Sequence, residues 1–442
     1  AVWMVAFKLA DRSLGLISTL ILARVLVPHD FGIVAMAMTL IAMIDVVTVG
    51  EFGSAIIHEP NPTRDHYDTA WTLSAIFGLC AMALLLAGSL PAAAFFDEPR
   101  LVPVICALSV LPLMSGLYNM GCVDFRKYLD FRKDFLLQVG TKLSGLFVVL
   151  PLAFVFRSYW ALIGGMIACR LGGLALSFML HPFRPRVSVR SARRLFSFSG
   201  WLMINNGLQF VRLRGAHFII GRALGSQGLG YYSISHEMAN LPTSELASPI
   251  NRAVFPGYAK LQFDRPALQK GFLGVAGLIA LVAVPAGIGM AAIAHLFVPA
   301  VLGAQWLQTV PLISVLAIGG PIYVLAANNQ SLYFAVGRPR FRAMLTLAEI
   351  AVFLPLVAVL IRPYGLLGAA IAFTATSALV VPVNFALATR LLDLRLGNVV
   401  AVLWRPLVAS GLMAMAILAA FPRSAERIGT WANVQALATA VA

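Results

Sequence analysis

Apolar runs long enough to cross roughly 30 Å of hydrocarbon recur along this 442-residue chain. Lipid offers no partners to unpaired backbone groups, so runs of this kind become helices. Their Gly, Pro and charged punctuation predicts spans over 1–24, 31–57, 70–96, 101–121, 135–156 and 159–181. A second set covers 199–223, 229–257, 270–298, 308–336, 343–361 and 365–389, followed by 400–421 and a short segment, 428–442. The expected fold is an all-α integral membrane protein of 12 to 14 transmembrane helices. With 60% hydrophobic and only 12% charged residues, the chain cannot present an ordinary charged surface to water. It begins with Ala1 rather than Met, which leaves trimming at either end open.

One segment occurs twice. Ile21-Leu-Ala-Arg-Val-Leu-Val-Pro-His-Asp-Phe-Gly32 returns 198 residues later as Ile219-Ile-Gly-Arg-Ala-Leu-Gly-Ser-Gln-Gly-Leu-Gly230, and Trp3 and Trp201 keep the same offset. A repeat inside an apolar chain predicts two homologous six-helix lobes with a site between them. The expected division is an N-terminal lobe over 1–198 that includes a basic cytoplasmic linker, a C-terminal lobe over 199–398, and an extra helix or helix pair over 399–442. With the N-terminus inside, the inner connections carry twenty Lys and Arg and the outer ones seven, which favours a cytoplasmic N-terminus. Six spans separate the copies, so the pseudo-twofold axis should run along the membrane normal. Arg24 and Arg222 of the repeat fall at helix ends, where snorkelling or capping is expected.

The net charge of +15 does not point to nucleic acid, because the basic residues sit in short loops beside apolar helices without an accompanying motif. The linker His181-Pro-Phe-Arg-Pro-Arg-Val-Ser-Val-Arg-Ser-Ala-Arg-Arg194 reads as topogenic and as a contact for anionic headgroups. Cys80, Cys106, Cys122 and Cys169 lack paired spacing, so neither a metal nor a disulfide is expected.

An ionised group at the centre of a span costs about 2.5 to 3.5 kcal/mol even on the lenient insertion scale, so charge inside these helices marks candidate function. The first span carries Lys8, Asp11 and Arg12, with Lys8 and Arg12 on one face and Asp11 within reach of Lys8. Asp11 can neutralise one cation while the other snorkels, or the stripe can line a hydrated cavity; both readings stay open. In the seventh span Asn205, Gln209 and Arg212 share a face, with Asn206, Arg214 and His217 nearby. Subtracting the repeat offset places Asn205, Asn206 and Gln209 over Phe7, Lys8 and Asp11, so both lobes put polar groups at similar depth. If those helices face each other, they line one cationic cavity suited to an anion.

Asp45, Glu51, Lys142, Arg170 and Glu349 are further intramembrane candidates. Lys142 and Arg170 could hold phosphate, as point charge and fork respectively, while Glu349 could be a proton site or a packing ion pair. The eighth span is unusually polar, with His236, Glu237, Asn240 and Glu245 and two prolines, Pro242 and Pro249. It reads equally as a sugar or proton site and as a kinked helix with polar packing.

The Arg-x-Leu and Gly at the end of the first span, their recurrence at Arg222 and Gly230, the start Tyr231-Tyr232, the end Pro249-Ile-Asn-Arg-Ala-Val-Phe-Pro256 and the segment Phe125-Arg-Lys-Tyr-Leu-Asp-Phe-Arg-Lys-Asp134 resemble the polysaccharide-transporter (Wzx-like) branch of the multidrug/oligosaccharidyl-lipid/polysaccharide (MOP) flippases. The resemblance implies a bacterial inner-membrane protein that moves a polyprenyl-diphosphate-linked oligosaccharide, an exopolysaccharide, O-antigen or lipopolysaccharide repeat unit, to the periplasmic leaflet by alternating access. Membrane lipids are implied contacts, and the glycosyltransferases and polymerase of the same pathway implied partners. It supplies no site residues. From the residues themselves, Lys8, Arg12, Arg212, Arg214, Lys142 and Arg170 are expected at the diphosphate, and Asn205, Asn206, Gln209, His236 and Asn240 at the sugars. Asp11, Glu237 and Glu349 are the candidates for H+ or Na+ coupling, and no other cofactor is expected. A lipid II-type flippase and a multidrug or cation antiporter remain the rivals within the fold. A membrane polymerase or ligase is the enzyme rival, and the short outer connections disfavour it.

Overall fold

The protein, a computed structural model, is described over residues 2–48, 52–59 and 61–421. Side chains at 2–11, 47–48, 54, 58, 193–205, 244–249, 251–253 and 339 lie outside that description. The described residues are helical with no strand. The helices are α1 (Val2–Val25), α2 (Pro28–Thr48), α3 (Phe52–His58), α4 (Arg64–Phe96), α5 (Leu101–Leu108), α6 (Val110–Gly116), α7 (Val123–Lys127), α8 (Phe131–Phe156), α9 (Trp160–Leu180), α10 (Ala192–Leu261), α11 (Arg265–Phe297), α12 (Thr309–Ala335), α13 (Pro339–Leu391) and α14 (Leu396–Ala420). Eight helices of the described residues are long and apolar enough to cross a membrane, and a ninth if the bent pair Leu101–Gly116 and Met120–Lys127 is one span. α1 and α10, which carry Lys8, Asp11 and Arg12 and Arg212, Arg214 and Glu237 respectively, fall outside that group.

The spans expected up to residue 421 correspond to these helices with instructive differences, and the segment expected over 428–442 lies outside the described residues. α10 and α13 each run through a glycine with left-handed φ, Gly225 at 67° and Gly365 at 56°, which divides them near the predicted boundaries. The single span expected over 101–121 is broken instead, with a 63° bend between α6 and the short helices that follow. Asn119 explains the bend. It is fully buried, accepts from the Gly121 N–H at 2.9 Å, and donates to the carbonyls of Ser177, His181 and Phe183 at 3.2, 3.3 and 3.1 Å. Its side chain supplies the hydrogen bonds that a continuous helix would have made internally. α4 starts six residues before the predicted 70, because its polar first turns have partners of their own.

Those partners are the linker. Asp68 Oδ1 accepts from the Arg186 N–H at 2.8 Å, Thr72 Oγ1 from the Ser188 N–H at 3.0 Å, and Thr69 Oγ1 from the Ser191 N–H at 3.3 Å. Asp68, Thr69 and Thr72 are buried by the chain they hold. The segment after α9 is therefore an extended strap pinned along α4, with Arg184, Arg186 and Arg190 exposed. At its start, Asp124 accepts from the Tyr67 hydroxyl through Oδ1 and lies 3.7 Å from His181 Nε2 through Oδ2. Burial pulls the His181 pKa below its ordinary 6.5, against the opposing pull of Asp124.

The fold divides into two compact units, 1–230 and 231–442, so the stretch of α10 before Gly225 packs with the first unit rather than beginning the second. Phe218 stacks on Phe96 at 6.0 Å, and a β-carbon at Gly221 would lie 2.8 Å from the Phe96 ring. The two copies of the repeat meet here. Gly32 lies against the Ser226 carbonyl and Gly230 against that of Pro28, close enough that a β-carbon would overlap either oxygen. Glu98 joins the contact, accepting from the Ser226 hydroxyl at 2.9 Å and standing 3.3 Å from His29 Nε2.

In the second unit the core is built from Tyr258, Phe272, Ile279, Val284, Leu325, Tyr333 and Phe385. A fully buried polar pin crosses it: the Tyr333 hydroxyl donates to Asn384 Oδ1 at 2.7 Å, Asn329 Nδ2 to the same oxygen at 3.1 Å, and the Tyr258 hydroxyl to Asn328 Oδ1 at 2.8 Å.

Candidate functional site

α8 and α9 pack closely because small residues line their seam. A β-carbon at Gly165 would lie 2.5 Å from that of Val149, and one at Gly172 would lie 2.0 Å from Ser144 Oγ. This fixes the backbones that carry Lys142 and Arg170. Both line a cavity of about 430 Å³ together with Ser18 of α1, Phe31 and Met38 of α2, and Met166 of α9. Lys142 Nζ lies beside Gly15 of α1, where a β-carbon would come to ordinary contact at 4.0 Å. Two cations thus stand in an otherwise mostly apolar chamber and give it a positive field.

A second cavity, about 380 Å³, lies further along α2, where Asp45 meets Asn206, Gln209 and Arg214 of α10. Arg212 Nε donates to Gln209 Oε1 at 2.8 Å, which orients the amide. Arg214 lies 3.4 Å from His217 Nδ1, and the same nitrogen is 3.1 Å from Thr39 Oγ1 on α2. A guanidinium can only donate, so the arginine contact requires an unprotonated Nδ1. One Asp45 carboxylate oxygen is buried without a hydrogen-bond partner, and Arg170 of the first cavity is the cation whose field reaches it.

The structure thus brings Asn206, Gln209, Arg212 and Arg214 together around the second cavity, and Lys142 and Arg170 around the first. The cavity expected between the first and seventh spans would be lined in part by residues 2–11 and 193–205, whose side chains lie outside the described ones. Arg12 is exposed on α1, while Lys8, Asp11 and Asn205 are outside the described side chains. In the second unit His236 packs edge-on against Phe373 at 5.2 Å, and its carbonyl accepts from Asn240 Nδ2 at 2.9 Å. Glu237 is exposed. Glu349 sits 3.4 Å from Arg342, seven residues before it on α13, with both side chains largely covered, so its surroundings are those of a packing ion pair. The residue that sequence reasoning undervalued is Asp45, one acid among several until its cavity neighbours are known. The Tyr67–Asp124–His181 node has no sequence signal, since its members lie in a helix lead-in, a loop and a helix end that only the fold brings together.

Helices of spanning length and apolar composition define a multi-pass membrane protein. The chain belongs to the family of polysaccharide biosynthesis proteins, which matches residues 21–311. It is 24% identical over 378 residues to an "uncharacterized membrane protein in cps region" of Klebsiella pneumoniae, spanning 84% of this chain and 78% of that one. It is 23% identical over 385 residues to the lipopolysaccharide biosynthesis protein WzxC of Escherichia coli strain K12, spanning 84% and 77%. Its fold is shared with the inward closed conformation of the lipid II flippase MurJ, at a TM-score of 0.79 and 13% identity over 99% of this chain and 96% of that one.

Proposed function

We propose that this protein is a flippase that carries a polyprenyl-diphosphate-linked oligosaccharide across the bacterial inner membrane, a transporter rather than an enzyme. Family membership over residues 21–311 supports the cargo class, and the observation that carries the reading is the pairing of Lys142 and Arg170 in one largely apolar chamber. Such a cargo has three parts that need three surroundings. The diphosphate takes the two cations, Lys142 as a point charge and Arg170 as a fork. Sugars take the amides Asn206 and Gln209 and the guanidinium of Arg214 in the second cavity. The hydrocarbon tail stays in lipid, and alternating access exchanges the side to which the cavities open. The excess of basic residues in the inner connections supports a cytoplasmic N-terminus, with the glycosyltransferases of the pathway on the same side and the polymerase opposite. Asp11 and Glu237 are retained as proton or sodium sites.

Reconstitution into liposomes with a labelled lipid-linked oligosaccharide tests the reading. The paired substitution Lys142→Gln with Arg170→Gln should slow translocation by about a hundredfold, corresponding to two charge-assisted contacts. Unchanged translocation by the double variant at equal protein content would sink the assignment of the diphosphate site, and no translocation by the unaltered protein would sink the flippase itself.

A further inference from the structure

The last turns of α10 and the first half of α11 leave an open groove of about 540 Å³, outside both cavities described above. Ile250, Val254, Gly257 and Tyr258 line it from one helix, Gly271 and Val275 from the other. Its wall is almost entirely carbon. The one hydroxyl among these residues, that of Tyr258, is turned away to donate to Asn328 Oδ1 at 2.8 Å. Glycine opens the space on both sides: a β-carbon at Gly257 would meet no heavy atom within 4 Å, and one at Gly271 would make only ordinary contacts, 3.5 Å from Leu261 and 3.9 Å from Tyr258. A sugar would find nothing to bond here, whereas a hydrocarbon chain would be matched.

The groove has a charged end. Lys260, beside the lining residue Leu261, closes α10, and Lys270, beside Gly271, lies in the second turn of α11; both lysines are exposed. The other charges at the turn between the two helices are committed elsewhere: Arg265 pairs with Asp393, and Asp264 caps α11 by accepting from the Ala267 N–H at 3.1 Å. The charge presented beside the apolar wall is therefore positive. From Ile250 to Leu261 α10 advances about 16 Å, close to half the thickness of the hydrocarbon core, which is the depth of one leaflet.

We propose that this groove binds an anionic phospholipid of the bilayer, with one acyl chain lying between α10 and α11 and the phosphate against Lys260 and Lys270. The inference does not rest on the flippase reading. The full chain, released from nanodiscs for native mass spectrometry, is to be offered phosphatidylglycerol and phosphatidylcholine of identical acyl composition. The unaltered protein should retain phosphatidylglycerol about tenfold better, as two juxtamembrane lysines allow. Gly257→Leu with Gly271→Leu fills the groove and should abolish retention of either lipid. Lys260→Gln with Lys270→Gln, both at exposed positions, should erase the headgroup preference while leaving chain retention intact. Equal retention of the two lipids by the unaltered protein would overturn the proposal. So would undiminished phosphatidylglycerol on the filled variant, or its displacement from the groove by a polyprenyl phosphate at equal concentration, which would make the occupant the transported lipid's tail.

Discussion

Gly230 packs directly on the backbone of Pro28: a β-carbon at 230 would lie 1.9 Å from the proline carbonyl oxygen. The reciprocal contact exists, because Gly32 stands to Ser226 as Gly230 stands to Pro28, with a β-carbon 1.6 Å from the serine carbonyl oxygen. Residues 28 and 226 occupy equivalent positions of the repeat, as do 32 and 230. The partner is backbone, which cannot rotate away, so Gly32→Ala and Gly230→Ala should each cost about 3 kcal/mol or more. Gly274→Ala, at a position where a β-carbon meets nothing within 4 Å, should be neutral or slightly stabilising. Thermal unfolding of the detergent-solubilised variants distinguishes the two outcomes.

The strap gives a proteolytic prediction. With Asp68→Ala or Thr72→Val the backbone amides of Arg186 and Ser188 lose their acceptors on α4. Trypsin should then cut after Arg186 and Arg190 several-fold faster, since cleavage follows local opening. A cleavage rate equal to that of the parent would show that the strap is held by other means.

Acidification should weaken the fold around His181. Burial holds its pKa below the ordinary 6.5, so the folded protein keeps the ring neutral at a pH where the unfolded chain has begun to bind a proton. Above that value neither state is protonated and the residue contributes no pH dependence. As pH falls through 6.5 toward the lower folded value, stability is lost. The unfolding midpoint should therefore drop between pH 7.5 and 5.5, and His181→Gln should flatten that part of the profile.

Most of the helical map was legible because hydrocarbon thickness, helix rise and the punctuation of apolar runs act locally. What escaped was set by distant partners. Asp68 and Thr72 look like a polar lead-in until the strap lies across them, and Asn119 looks like a loop residue until three carbonyls converge on it. The same holds for the site. Lys142 and Arg170 stood out as charges in apolar helices, yet nothing local says that they share a chamber while Asn206, Gln209 and Arg214 line another. His236, Asn240 and Glu349 are read no better locally, since each meets a partner that only the folded chain supplies: Phe373, the His236 carbonyl and Arg342.

The asparagine pin makes a further prediction. Asn384→Ala removes the side-chain acceptor shared by Tyr333 and Asn329 and strands the Asn329 amide in a dry core, while the Tyr333 hydroxyl keeps the backbone carbonyl of residue 384 at 2.9 Å, at about 1 to 3 kcal/mol. Tyr333→Phe removes only one donor and should cost less, about 1 kcal/mol. Reversal of that order in thermal unfolding would mean that the pin is not organised around Asn384.

The paired glycines also explain what the internal repeat keeps and what it has let drift. A carbonyl oxygen is common to all residue types, so the position that supplies it is free of side-chain constraint, and proline stands at 28 where serine stands at 226. The position that receives it admits only hydrogen, and glycine stands at both 32 and 230. Half of each contact is thus written in the residue alphabet and half is silent. Any method that pairs positions by the joint variation of their side chains will be blind to the place where the two copies touch.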